Sequence, residues 1–85
     1  MANFKIEFKK SAVKELNSLP KNEIKRILDK ISLLAEEPRP SGCTKLSADE
    51  KYRVRVGKYR ILYQIFDRIL LIVVVRIAHR KDVYR

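Results

Sequence analysis

Eighty-five residues leave room for one hydrophobic core and no second domain, and a domain of this size buries only about 60–65% of its unfolded surface. With 46% hydrophobic residues, two glycines and three prolines, the chain is expected to fold, while 20 Lys and Arg against 10 Asp and Glu give a net charge of +10 that favours polyanionic partners. One cysteine and one histidine exclude an internal disulfide and any His/Cys metal-ligand spacing, so no metal and no cofactor is expected.

No membrane segment is expected either. The longest apolar run, Ile69 to Val75, is far short of the ~20 residues that span a bilayer, and Met1-Ala2-Asn3-Phe4-Lys5 lacks the long apolar stretch expected of a signal peptide. The expected location is the cytoplasm. The charge is uneven: residues 1–50 hold ten basic and eight acidic side chains, whereas residues 51–85 hold ten basic and two acidic. The excess positive charge is therefore concentrated in the last 35 residues.

Asn3 to Phe8 alternates, Phe4, Ile6 and Phe8 against Asn3, Lys5 and Glu7, and predicts a half-buried strand. Ser11 is a candidate N-cap for a short helix carrying Ala12, Val13, Leu16 and Leu19 and stopping at Pro20. From Lys21 to Glu37, Ile24, Ile27, Leu28, Ile31, Leu34 and Ala35 recur at three- and four-residue steps, predicting a longer amphipathic helix that ends before Pro38. Pro38-Arg39-Pro40-Ser41-Gly42 opens a turn-rich connection reaching to about Glu50; Cys43 within it reads as an incidental thiol.

Tyr52 to Val56 alternates, Gly57-Lys58 suits a two-residue hairpin turn, and Tyr59 to Phe66 runs back. Asp67-Arg68 gives a second turn into Ile69 to Ile77, apolar at both parities as a strand covered on both faces would be. The expected fold is a two-layer α+β domain over residues 1–85. In it, two helices from the N-terminal half pack on one face of a four-stranded, largely antiparallel sheet in the order β-α-α-β-β-β.

A Gly57-Lys58 turn places Arg55 opposite Arg60 and Arg53 opposite Leu62, so three arginines share one sheet face. Like charges directly opposed destabilise a strand pair by some tenths of a kcal/mol to about 1 kcal/mol, and no carboxylate is near in sequence to offset this. Edge-strand charge can serve merely to block aggregation. The use of arginine, whose planar fork fits phosphate oxygens and stays protonated at physiological pH, points instead to an anionic ligand. The tail Ala78-His79-Arg80-Lys81-Asp82-Val83-Tyr84-Arg85 follows the last strand directly, within reach of that face.

The succession Lys45-Leu46, Tyr52-Arg53-Val54-Arg55-Val56-Gly57, Tyr59-Arg60-Ile61-Leu62-Tyr63 and His79-Arg80-Lys81-Asp82-Val83-Tyr84 resembles the successive motifs of RelE-family toxins. Phe8 to Leu16 is similar to that family's first strand-to-helix junction, so the resemblance covers nearly the whole chain. It implies a metal-independent, ribosome-dependent endoribonuclease that cuts mRNA in the ribosomal A site and is held inactive by a cognate antitoxin. By position, Arg53, Arg55, Arg60 and Arg80 match the family's basic phosphate-binding residues, and Tyr84 its C-terminal active-site tyrosine.

The reaction implied is attack of the RNA 2′-hydroxyl on the adjacent phosphodiester. Arg55, Arg60 and Arg80 would hold the scissile phosphate, Arg53 would bind phosphate or relay a proton, and Tyr84 would orient the hydroxyl or transfer a proton. His79 is a further candidate acid or base, since imidazoles ordinarily titrate near neutrality. Lys45, Lys51, Lys58 and Lys81 are the candidate RNA-binding lysines. Family members can carry lysine where Arg53 and Arg55 stand, and arginine is a poor base, which leaves the general base open. The alternatives are a non-catalytic toxin like the related ParE proteins that block DNA gyrase, and a plain RNA-binding module, which would need the aromatic platform this chain lacks.

Overall fold

The computed structural model describes residues 3–46 and 51–79. Its elements are β1 (Lys5–Phe8), α1 (Lys10–Asn17), α2 (Lys21–Leu34), β2 (Thr44–Lys45), β3 (Lys51–Val56), β4 (Tyr59–Phe66), a 3-10 turn (Asp67–Ile69) and β5 (Leu71–His79). The strands form one sheet in the order β1-β5-β4-β3-β2.

Two expectations are corrected here. The sheet has five strands instead of four, because Thr44-Lys45, inside the predicted connection, pairs with Arg53 and Tyr52 of β3. It is also mixed: β1 runs parallel to β5, with Lys5 beside Leu71 and Phe8 beside Val74. A two-residue strand is too short to show a period of two, and pairing between the two ends of the chain leaves no local mark.

α1 starts one residue before the predicted cap. The Lys9 N–H still belongs to the sheet, donating to the Val74 carbonyl at 3.0 Å, while the Lys9 carbonyl already accepts from Val13 N–H at 3.1 Å. Lys9 is therefore the N-cap, without a side-chain bond, and Ser11 lies exposed in the first turn. α2 begins after Pro20, whose extended backbone suits a cap position, and ends at Leu34, three residues before the predicted Glu37. Beyond it, the Ala35 carbonyl accepts Phe4 N–H at 2.8 Å, tying the helix end to the start of β1.

The core lies between the helices and one sheet face. Ala12, Leu16, Ile27, Ile31 and Leu34 meet Tyr52, Val54, Ile61, Tyr63, Ile65, Ile72, Val74 and Ile77. On β5 the other parity, Leu71, Val73 and Val75, is half-buried, so the strand expected to be covered on both faces is fully covered on one. The register of β4 against β5 shifts between Leu62 and Tyr63, opposite the extra residue Val75. Past this bulge β1 has ended, and Glu15 of α1 seals the open edge by accepting Ile77 N–H at 2.8 Å and Arg76 Nε at 3.3 Å. No helix among the described residues is long and apolar enough to cross a membrane.

Candidate functional site

The register of the β3–β4 hairpin is the one its turn dictates: Val56 faces Tyr59, Arg55 faces Arg60, Val54 faces Ile61 and Arg53 faces Leu62. Gly57 has φ +58°, the left-handed conformation that glycine adopts without a Cβ penalty. Buried Tyr52 and Val54 alternate with Lys51, Arg53 and Arg55, so the three cations run along the β3 face turned away from the helices, with Arg60 beside them on β4.

These cations differ in environment. Arg55 is exposed and makes no ion pair with any described residue, Arg53 is half-buried, and Arg60 is only 4% exposed. Among the described residues Arg60 is the one charged side chain in the buried class, whereas Arg55, opposite it on the same sheet face, is exposed.

The other predicted residues scatter. The register puts His79 beside Tyr59, with the ring centroids 5.6 Å apart in an edge-to-face contact. Tyr59 has the parity of Ile61 and Tyr63, so His79 is on the helix side of the sheet, away from the arginine row; it is Ala78 that faces Arg60. Lys58 is exposed at the hairpin tip, and Lys45, paired with Tyr52, has the parity of the helix side. Arg80, Lys81 and Tyr84 lie outside the described residues.

A cleft of about 450 Å³ opens where β2 stops alongside β3. Its wall combines Lys30 of α2 with Ser41, Gly42 and Thr44, and its floor is Arg53, Val54 and Arg55. Lys30 and Arg55 also border a second hollow of about 380 Å³, lined by Arg26, Asp29 and Leu33 together with Val56 and Gly57. Sequence reasoning missed Lys30, because it reads as one more solvent-facing lysine of an amphipathic helix. Only the third dimension brings it around the sheet edge.

At the far end of the same hairpin Arg39 is fully engaged. Its Nη1 and Nη2 donate to both carboxylate oxygens of Asp67, at 3.2 and 2.9 Å, and its Nε donates to the Tyr52 hydroxyl at 3.0 Å. These bonds hold the guanidinium above its already high ordinary pKa and the Asp67 carboxyl below its own. Tyr63, stacked on Tyr52 with centroids 5.9 Å apart, donates its hydroxyl to the Pro38 carbonyl at 2.7 Å, and burial pushes its pKa up. The loop that walls the cleft is thus anchored to the sheet at its start.

Comparison with known proteins gives a consistent set of likenesses. The family model described as ParE toxin of type II toxin-antitoxin system, parDE, matches residues 6–84. A putative toxin RelE1 of Methanocaldococcus jannaschii is 30% identical over 96% of both chains, and toxin RelG of Mycobacterium tuberculosis is 29% identical over 96% of this chain and 97% of its own. Among solved structures, the archaeal RelE-RelB complex from Pyrococcus horikoshii contains a chain similar to this one at TM-score 0.84 and 30% identity, covering 96% of this chain and 99% of that one.

Proposed function

This chain belongs to the RelE/ParE superfamily of type II toxin-antitoxin toxins, and on that premise we propose that it is an mRNA-cleaving endoribonuclease acting in the ribosomal A site. The observation that carries the reading is the opposition of Arg55 and Arg60 across the hairpin, with Arg55 making no ion pair among the described residues. Two like charges held face to face cost stability, and a phosphate between them removes the cost.

In the proposed reaction the RNA 2′-oxygen forms a bond to phosphorus as the bond to the 5′-oxygen breaks. The 2′-hydroxyl proton is lost, the departing 5′-oxygen gains one, and the products are a 2′,3′-cyclic phosphate and a 5′-hydroxyl. Negative charge grows on the phosphorane oxygens, where preorganised guanidinium groups stabilise it most strongly. Buried Arg60 suits that fixed role, and Arg55 suits capture of the incoming phosphate. Arg53 and Lys51 extend the positive row along the strand, Arg80 is proposed at the scissile phosphate, and Tyr84 for proton handling or orientation of the hydroxyl. Lys45, Lys58 and Lys81 would hold RNA further out. His79, packed against Tyr59 on the other sheet face, has no part in this scheme.

A cognate antitoxin is the proposed protein partner, as RelB is for RelE in the Pyrococcus horikoshii complex. The test is incubation of the purified chain with ribosomes programmed with mRNA, followed by mapping of the new ends. Fragments with 5′-hydroxyl and cyclic or 3′-phosphate ends are expected; intact mRNA would overturn the reading. One observation favours a second reading: the matching family model is described by its ParE toxins. Intact mRNA together with inhibition of DNA gyrase by this chain would establish that alternative.

A further inference from the structure

The cleft at the β3 edge is built for an anion in a way the arginine row does not require. Its described lining holds three cations, Lys30, Arg53 and Arg55, two hydroxyls, Ser41 and Thr44, and no carboxylate. Lys30 is half-buried and makes no ion pair with any described residue, whereas its neighbour Lys25 on α2 is paired with Asp29 at 3.4 Å. A half-buried lysine with no ion pair among the described residues, set close to Arg55, is stabilised by a ligand that brings negative charge.

The backbone adds to this. In a two-residue hairpin the flanking pair, here Val56 and Tyr59, exchanges hydrogen bonds, so the next residue on β3, Arg55, turns its N–H and C=O to the outer edge. β2 pairs only as far as Arg53, and no described residue of the adjoining loop supplies a backbone partner for Arg55. Gly42, which also lines the cleft, has φ +92°, a conformation side-chain-bearing residues rarely adopt. The Arg55 N–H thereby points to the outer edge of β3, the edge along which the cleft lies.

We infer that this cleft, walled by Lys30, Ser41, Gly42 and Thr44 and floored by Arg53 and Arg55, is a second phosphate subsite taking an RNA backbone phosphodiester adjoining the one at the Arg55–Arg60 pair. The inference rests on the nuclease reading for the identity of the strand. It sends the RNA from the open sheet face around the β3 edge and onto α2. Arg55 borders both sites, so the phosphates that occupy them belong to neighbouring stretches of one strand.

The experiment uses the full chain and a 2′-O-methyl RNA oligonucleotide, which binds but cannot be cut, with affinity measured across a salt series. Lys30→Gln is expected to bind severalfold more weakly and to lower the salt slope by about 0.7, the value of one phosphate contact on a single strand. Lys30→Arg should restore both, and Lys25→Gln, outside the cleft, should change neither. Weakening seen with the oligonucleotide assigns the subsite to the substrate strand; weakening confined to ribosomes lacking mRNA assigns it to ribosomal RNA. An unchanged slope and affinity for Lys30→Gln on both would overturn the subsite, as would a loss seen only in binding of an acidic antitoxin. If wild-type chain cuts no mRNA the nuclease reading fails alone, since the binding series still reads the subsite.

Discussion

The two ends of the β3–β4 hairpin treat arginine in opposite ways. At the turn-distal end Arg39 is neutralised by both oxygens of Asp67, bonded to the Tyr52 hydroxyl and laid over the Tyr52 ring at 5.1 Å. Near the turn Arg55 has no ion pair among the described residues and faces another arginine. The first arrangement satisfies a guanidinium with protein groups and so serves the fold. The second leaves Arg55 without a counter-charge among the described residues, which is the arrangement the proposed phosphate site requires. Net charge alone does not distinguish them; the groups around each guanidinium do.

The sharpest way to break this comparison is to remove an arginine from each end. Arg55→Ala and Arg60→Ala should each lower single-turnover cleavage by roughly 10²–10³-fold, as loss of a preorganised transition-state charge contact does. Arg55→Ala should also keep or slightly raise Tm, because it relieves a repulsion worth some tenths of a kcal/mol to about 1 kcal/mol. Arg39→Ala should do the reverse, lowering Tm while leaving cleavage at saturating substrate within about tenfold. A folded Arg39→Ala protein with cleavage as low as that of Arg55→Ala would end the division of labour.

A smaller effect is expected from the tyrosine beside the clamp. Tyr63→Phe removes the hydroxyl that donates to the Pro38 carbonyl at 2.7 Å and leaves that acceptor to find water. The loss should be about 1 kcal/mol, or roughly 4–8 °C in Tm for a domain of this size, measured by thermal unfolding. Cleavage should follow only to the extent that the loop from Pro38 to Thr44 shifts, so an unchanged cleavage rate with a lowered Tm would sharpen the contrast between the two ends.

How much of this was legible in the sequence follows from the range of the interactions. The hairpin register, and with it the Arg55–Arg60 opposition, is a local consequence of Gly57-Lys58 and two alternating runs, and the structure has it as read. α2 was legible for the same reason, its apolar period being self-contained, although its end was not, since the turn at Ala35 to Glu37 is set by contact with Phe4. The parallel β1–β5 pairing and the strand Thr44-Lys45 depend on partners far along the chain. His79 shows the limit of motif reading: one residue of register separates the sheet faces, and the count through the Val75 bulge put it with Tyr59. Nothing local in the sequence singles out Arg39 or Asp67, 28 residues apart, as partners.

The smallest expected effect concerns pH and the clamp itself. The hydrogen bonds from Arg39 depress the Asp67 carboxyl below its ordinary value near 3.8, so the folded state favours the ionised form more than the unfolded state does. The stabilisation is therefore fully present above the ordinary carboxylate range and is lost as pH falls through the depressed folded value. Both side chains are substantially exposed, at 41% and 55%, so water and salt screen the pair and the effect is modest. Wild type should exceed Asp67→Asn in Tm at neutral pH, and the gap should narrow as pH drops below about 4, where wild-type Asp67 also becomes neutral. Raising the salt concentration at neutral pH should shrink the same gap. A gap that stays constant from neutral to acid pH would mean that Asp67 acts through its uncharged hydrogen-bonding shape, and Arg39 would then be held by geometry and by Tyr52 instead of by charge.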